Sequence, residues 1–389
     1  WLVSSWLEEG EVFTRKGSGL IKCKDGYILW GLRTLNVFLL MERPELMDDP
    51  KYHTDTGWRD AQPEVEKMLA EYCINKGMQE IFEFGQQLRL KICPVNTPQD
   101  LLASEQFAAR DWWKEISTST GNQLQIPTPP WKMSGEQIKS LLPAPLLNAH
   151  AELNAHAEII NKKINLNQRW PKLNVNKPLA GIRVLEITTA WAGPLVGRHL
   201  ADMGAEVFLV EPPRVQPTRG HHFPGGSDQI WPHFYNRGSA FNQLNRNKRG
   251  MMLDIRHPDG QAQILEMTKN VDVIIENNSV HVMNDYGMGF TVLSKINPKL
   301  VMCSISGFGA TGPHAHYVAL GSNIEASGGL VSQTGYYKDD HFGSGTYVAD
   351  PIAGTLGSLT IMSALLDAVD SGQGRHIDMS LQESLTTFM

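Results

Sequence analysis

The chain has 389 residues, 41% of them apolar and 20% charged, with 35 Lys and Arg against 41 Asp and Glu for a formal charge of −6. That length suits two domains and that composition excludes global disorder; the acidic balance gives no reason to expect nucleic acid or a membrane as partner. Cys23, Cys73, Cys93 and Cys303 lie far apart without a C-x-x-C pair, so no disulfide framework and no metal site is indicated, and a reducing cytoplasm fits best.

The chain opens on Trp1 and shows no basic-then-apolar leader, which reads as a fragment of something longer. Residues 1–115 read as mixed structure. Leu20–Lys24 and Tyr27–Trp30 alternate around Asp25-Gly26, the pattern of a hairpin. Val65, Met68, Leu69 and Tyr72, then Ile81, Phe84 and Leu88, are helix-spaced. Residues 116–178 turn polar and Pro-rich and read as a linker. Leu-Asn-Ala-His-Ala-Glu occurs there twice, at 147–152 and 153–158. His150 and His156 are six residues apart and face away from each other on a helix, which disfavours metal binding.

From 179 the texture is strand–helix–strand: strands at 182–187, 206–210, 251–255, 271–275 and 300–305, with helices at 192–203 and 261–269 between them. Such alternation predicts an α/β fold with a doubly wound parallel sheet. Asp350-Pro351 opens a long apolar helix, and Arg375–Leu381 follows the Gly372-Gln373-Gly374 turn.

The first βαβ unit ends on Glu211, where a ribose-binding acid would sit, but Ala192–Gly197 lacks G-x-G-x-x-G and Pro194 removes an amide donor, which argues against a dinucleotide. Lys248 and Arg249, beside Arg246, could clamp a phosphate-rich ligand or form a solvated turn. Asp350 could be a helix N-cap, or a carboxylate placed to attack a thioester with Gly343 and Gly345 allowing close approach; spacing alone leaves both open. Trp191 and the cluster Trp231–Tyr235 are pocket wall or, toward an onium group, a cation–π cage.

Several ordered segments resemble the class III CoA-transferases (the CaiB/BaiF, formyl-CoA transferase-like family). They are Pro178–Ile187, Ala192-Gly193-Pro194, Leu200–Val207, Asn247–Gly250, Asp272–Asn277, Asn297–Val301, Ser304–Gly309, Ala349-Asp350 and Gly372–Ser380. Residues 17–27, 48–52, 94–98 and 109–110 resemble the other half of the same family. The chain therefore resembles the C-terminal half (small domain) of one copy over 1–115, a linker over 116–178, and the N-terminal CoA-binding and catalytic part of a second copy over 179–389. This tandem arrangement is similar to the dimethylsulfoniopropionate CoA-transferase/lyase (DddD) form.

The resemblance implies a Rossmann-like sheet plus a smaller α+β domain, interlocked as a homodimer or an intrachain pseudo-dimer. It implies Asp350 as the acyl-accepting nucleophile and coenzyme A contacts at Lys248, Arg249, Leu253, Arg256 and Asn277. It also implies Trp191 near the acyl site; Trp231 and Tyr235, by their aromatic character, are further candidate substrate contacts. Glu325, where the family pattern usually has an amide, is the candidate base for releasing dimethyl sulfide. Trp191 stands where several relatives have Gln, Gly321 where an acidic residue is common, and Asp285 where a basic one is.

The expectation is CoA transfer from an acyl-CoA to a carboxylic acid, dimethylsulfoniopropionate first, with carnitine-like and dicarboxylate acceptors as alternatives. A nucleotide-dependent oxidoreductase and a non-catalytic CoA-binding module are the rival classes.

Overall fold

The computed structural model describes residues 19–31, 34–118, 120–135, 144, 177–213, 238–336 and 341–389. The tandem repeat with His150 and His156, and Trp231 and Tyr235, lie outside the described residues.

The first part of the chain builds a small α+β unit. Strands β1 (Leu20–Lys22), β2 (Tyr27–Trp30) and β3 (Ile92–Pro94) form an antiparallel sheet. The Asp25-Gly26 turn joins β1 to β2, as the dipeptide predicts. Helices α1 (Asp55–Cys73) and α2 (Met78–Gln87) cover it, burying Val65, Leu69 and Ile81 at the expected spacing against Ile21, Ile28 and Ile92.

A hairpin follows, β4 (Trp113–Ser117) with β5 (Gln123–Pro127), and then β6 (Trp131–Met133). The expected linker therefore starts too early: β5 and β6 lie inside it, and β6 joins the main sheet antiparallel to its last strand. The polar sequence of this isolated two-stranded hairpin has the composition of a linker, so composition alone does not mark it as folded.

The second part is the predicted α/β unit. Its strands are β7 (Arg183–Ile187), β8 (Glu206–Glu211), β9 (Arg249–Met252), β10 (Val273–Glu276), β11 (Val301–Ser306) and β12 (His376–Ser380). With β6 they make a seven-stranded sheet of order β6-β12-β11-β10-β7-β8-β9, parallel except for β6. The β9 strand ends two residues into the predicted 251–255 run. There Asp254 accepts hydrogen bonds from the Arg256 backbone and side chain, which turns the chain away.

Alternate residues of the central strands serve opposite layers, the pattern of a sheet covered on both faces. Val273 and Ile275 pack with Val196 and Leu200 of α3 (Ala192–Asp202). Ile274 packs on the other face with Ile264 of α4 (Pro258–Thr268) and Leu293 of α5 (Phe290–Ile296). Helix α6 (Gly321–Ser327) follows, then α7 (Ala349–Ser371) and α8 (Leu381–Thr386).

By length and composition α7 could cross a membrane, but it packs in the sheet core. Gly354 allows its close approach to α3: a Cβ there would lie 2.9 Å from the Ala192 carbonyl oxygen and 3.0 Å from the Leu195 side chain.

Side-chain amides join the two parts. Asn323 donates to the carbonyls of Leu29 and Lys91 at 3.1 and 3.0 Å. Gln86 donates to the Val318 carbonyl and accepts from the Val318 amide. Gln106 binds the Phe308 and Thr311 carbonyls and the His314 amide in the same manner. These bonds pair backbone groups that neither part satisfies alone.

Candidate active site

Strand order reverses between β7 and β10, because β8 and β9 extend the sheet on one side of β7 and β10 and β11 on the other. Ligands of open α/β sheets bind at such a switch, beyond the carboxyl ends of the strands. Asn277, directly after β10, bridges this point. Its Oδ1 accepts from the Thr189 amide at 2.9 Å and its Nδ2 donates to the Thr189 carbonyl at 2.8 Å. The bridge fixes the loop leading into α3, where Ala190 holds φ at +64°. Left-handed backbone in a non-glycine residue costs on the order of 1 kcal/mol or more and persists where neighbours hold it.

Asp350 enters this crevice from α7. It is not the helix cap that its sequence position suggested. The helix begins at Ala349 with Val348 as N-cap and no capping side chain. The Asp350 carboxyl instead packs against Gly321 at the start of α6, and the Ala192 amide at the start of α3 favours its charged form. Trp191, half-buried, directly precedes Ala192 as the N-cap residue of α3. Burial pushes the carboxyl of Asp350 up to about 7; the Ala192 amide opposes the rise and the Glu325 charge adds to it.

Gly321 also shapes the site. A Cβ at that position would overlap Asp350 Oδ2 and approach the Tyr347 Cβ to 2.9 Å. The absence of a side chain gives the carboxyl its place against α6, which the sequence registered only as a missing acid.

Glu325 is 1% exposed. Its Oε1 accepts from Ser344 Oγ at 2.6 Å and the Val348 amide at 2.7 Å, and its Oε2 from the Ser344 amide at 2.8 Å. Apart from the neighbouring Gly343 and Gly345, no sequence signal marks Ser344 and Val348 as part of the site.

The cations separate. Lys248 is 1% exposed in its side chain, and its ammonium donates to Glu186 at 2.9 Å, the Pro194 carbonyl at 2.8 Å and Asn245 at 2.9 Å. Burial lowers the Lys248 pKa and raises that of Glu186, while the pairing opposes both shifts. This buried pair differs from the phosphate clamp expected of Lys248, because an ammonium with three internal acceptors has no donor left to offer. Lys248→Ala would leave Glu186 buried and unpaired, so a stability loss of about 3 kcal/mol is expected, read as a lower urea midpoint.

Arg249 is exposed and turns toward Glu206, the first residue of β8, 3.3 Å away. Leu253, half-buried, and exposed Arg256 follow the end of β9, on the same side of the sheet as Asn277. Arg256 pairs with Asp254 at 2.8 Å. Asp285 is exposed, at the end of a short helix. Among the described residues no cluster of His, Cys, Asp and Glu could hold a metal ion, and the four cysteines are free and buried.

Residues 9–151 and 179–389 match the model described as CoA-transferase family III. Succinate–glutarate CoA-transferase of Agrobacterium fabrum is 36% identical over 217 residues, 54% of this chain and 52% of that protein. A probable CoA-transferase of Mycobacterium tuberculosis is 25% identical over 386 residues, 93% of this chain but 45% of that protein. The crystal structure of a CaiB/BaiF family protein from Brucella suis shares 34% identity with a TM-score of 0.50, covering 54% of this chain and 55% of that one. The chain spans about half the length of the curated relatives it matches.

Proposed function

The chain belongs to CoA-transferase family III, and from that premise we propose that it moves coenzyme A from an acyl-CoA to a carboxylic acid through covalent intermediates on Asp350. The observation that carries this reading is the place of Asp350: a buried carboxylate in the first turn of α7, its oxygen packed against Gly321 at the start of α6.

Ionised Asp350 attacks the thioester carbonyl of the donor, and the CoA thiolate leaves as a mixed anhydride forms. The thiolate then attacks the aspartyl carbonyl, giving an aspartyl-CoA thioester and releasing the donor carboxylate. The acceptor carboxylate attacks that thioester, expelling the thiolate. The thiolate attacks the acceptor's carbonyl in the second anhydride, which frees Asp350 and the new acyl-CoA. Backbone amides facing the carboxyl group suit the oxyanion of each tetrahedral step.

Coenzyme A lies, in this reading, across the ends of β9 and β10, against Leu253, Arg256 and Asn277. Arg249, turned toward the opposite ends of the strands, contributes less. Arg256→Ala is expected to weaken CoA binding by about 1.5–3 kcal/mol with folding intact, as titration calorimetry would read. Equal affinity in the variant would move the ligand elsewhere.

Two matches to one family model support a tandem reading, the tail of one copy followed by the head of a second. So does the Mycobacterium protein, which aligns along nearly all of this chain within less than half its own length. For the acceptor, Trp191 beside the nucleophile favours an onium carboxylate such as dimethylsulfoniopropionate or carnitine, whose cation an indole face attracts by roughly 0.5–2 kcal/mol. The named substrates of the Agrobacterium relative favour a dicarboxylate. A later elimination of dimethyl sulfide would need a base, and both oxygens of Glu325 are already engaged. We therefore propose transfer without assigning Glu325 that step.

The test is mass spectrometry of Asp350 peptides after incubation with acetyl-CoA or succinyl-CoA, followed by an acceptor series of dimethylsulfoniopropionate, carnitine, oxalate and succinate. No adduct at Asp350 with any donor would overturn the transfer reading. Faster transfer to a dicarboxylate would overturn only the onium acceptor.

A further inference from the structure

We propose that Glu325 is a positioning residue: its carboxylate ties the 344–348 strap to α6 and so holds Asp350 in attacking position. The proposal rests on the reading of Asp350 as the nucleophile.

The strap is organised around this one side chain. Glu325 receives three donors from it, two at Ser344 and one at Val348, at 2.6–2.8 Å. Ser344 Oγ accepts in turn from the Thr346 amide at 3.1 Å. Tyr347, between the two anchor residues, holds φ at +53°. A left-handed tyrosine is unfavourable by itself, so bonds on both sides of it must hold the bend. Val348 is the N-cap of α7, and Asp350 lies in the first turn. Fixing the Val348 amide thus fixes where the helix begins and where the nucleophile points.

The anchor is itself rigid. Every residue of α6 is buried. Asn323, two positions before Glu325, is bonded to the Leu29 and Lys91 carbonyls of the small unit. The chain just before the strap also meets that unit, where the His341 and Tyr27 rings lie 5.0 Å apart edge to face. The small unit is thereby coupled to the nucleophile through α6 and its carboxylate.

The chemistry of the side chain discriminates this role from mere core filling. All three bonds need an acceptor, and only the carboxylate offers acceptors on both oxygens. A glutamine in the same rotamer would set its NH₂ against either the Ser344 amide or the Oε1 donors, opening one end of the strap. The Glu325 charge also bears on the nucleophile. Of the groups on elements packed against Asp350, the Ala192 amide at the start of α3 lowers its pKa and Glu325 on α6 raises it. The Tyr347 phenol is the titratable neighbour in the strap.

The experiment compares the wild-type protein with Glu325→Gln, Glu325→Asp, Ser344→Ala and Asp350→Asn. It measures kcat and KM across pH 5–9 and hydrogen exchange of the 341–350 peptide. Glu325→Gln is expected to lose about 10- to 100-fold in kcat, with KM for the acyl-CoA little changed. Its acid limb should move to lower pH, because the charge opposing Asp350 ionisation is gone, and the 341–350 amides should exchange faster. Glu325→Asp keeps the anion, so its limb stays in place and part of kcat returns. Ser344→Ala, which keeps the carboxylate and the two backbone donors at 344 and 348, should lose a few-fold with no shift of the limb.

Wild-type kcat in Glu325→Gln, or a loss of stability with limb and exchange unchanged, would overturn the positioning role while an inactive Asp350→Asn left the nucleophile standing. Turnover in Asp350→Asn would overturn both. The exchange data report the tie between Glu325 and the strap independently of activity.

Discussion

Asp350→Asn is expected to fold, to lose CoA transfer by about 10⁴-fold or more, and to be more stable than the wild type above neutral pH. The loss of transfer follows from removing the protein's own attacking oxygen anion, a change of the size seen when catalytic nucleophiles are replaced. The gain in stability follows from the cost of ionising a buried group. Folding raises the carboxyl from 3.8 to about 7, so the folded state holds its proton where the unfolded chain has released it. Wild-type stability from this group is then fully present below pH 3.8 and declines as pH rises toward 7. Above pH 7 the ionised carboxylate costs on the order of 4 kcal/mol, which a neutral amide avoids. Thermal melts at pH 5 and pH 8 read the difference: the gap between variant and wild type should widen at the higher pH. The same ionisation sets the acid limb of wild-type activity near pH 7. A variant less stable at pH 8 than at pH 5 relative to wild type would show that the carboxylate is satisfied, not strained, by its site.

The largest stability effect is expected at Arg110. This guanidinium is fully buried and links the segment before β4 to the far end of the chain. It makes a bidentate pair with Glu383 at the start of α8, reaches Asp378 of β12 at 2.6 Å, and donates to Thr311 at 3.0 Å. Burial opposes its charge, but the two carboxylates hold its pKa above the usual value. Burial likewise pushes Glu383 up, against the pull of Arg110. Arg110→Met would strand two carboxylates in the interior, and about 5 kcal/mol of stability should be lost. The triple variant Arg110→Met, Asp378→Asn, Glu383→Gln should recover much of it, since a neutral site has no charge to compensate. Equal stability of the single variant and wild type in urea would mean that the two parts of the chain are held by the amide contacts alone.

The amino-acid sequence by itself determined the local grammar of this protein. The hairpin around Asp25-Gly26, the helical spacing of Val65 to Leu88, and the strand–helix alternation from 182 all depend on neighbours within a few positions. Periodicity and turn chemistry therefore suffice to read them. Asp350 as the residue of interest was likewise legible, from its ordered neighbours rather than from its spacing.

The roles of single charges were not legible, because each is set by a partner remote in the chain. Lys248 reads as a surface clamp until Glu186, 62 residues away, encloses it. Arg110 meets Glu383 across 273 residues. Glu325 reads as a free carboxylate until the strap closes on it, and Asp350 as a cap until its carboxyl is buried against Gly321. Burial decides these cases. The same ionisable side chain is a solvated ligand-binding group at the surface and a structural tie in the core, and only the tertiary packing chooses between them.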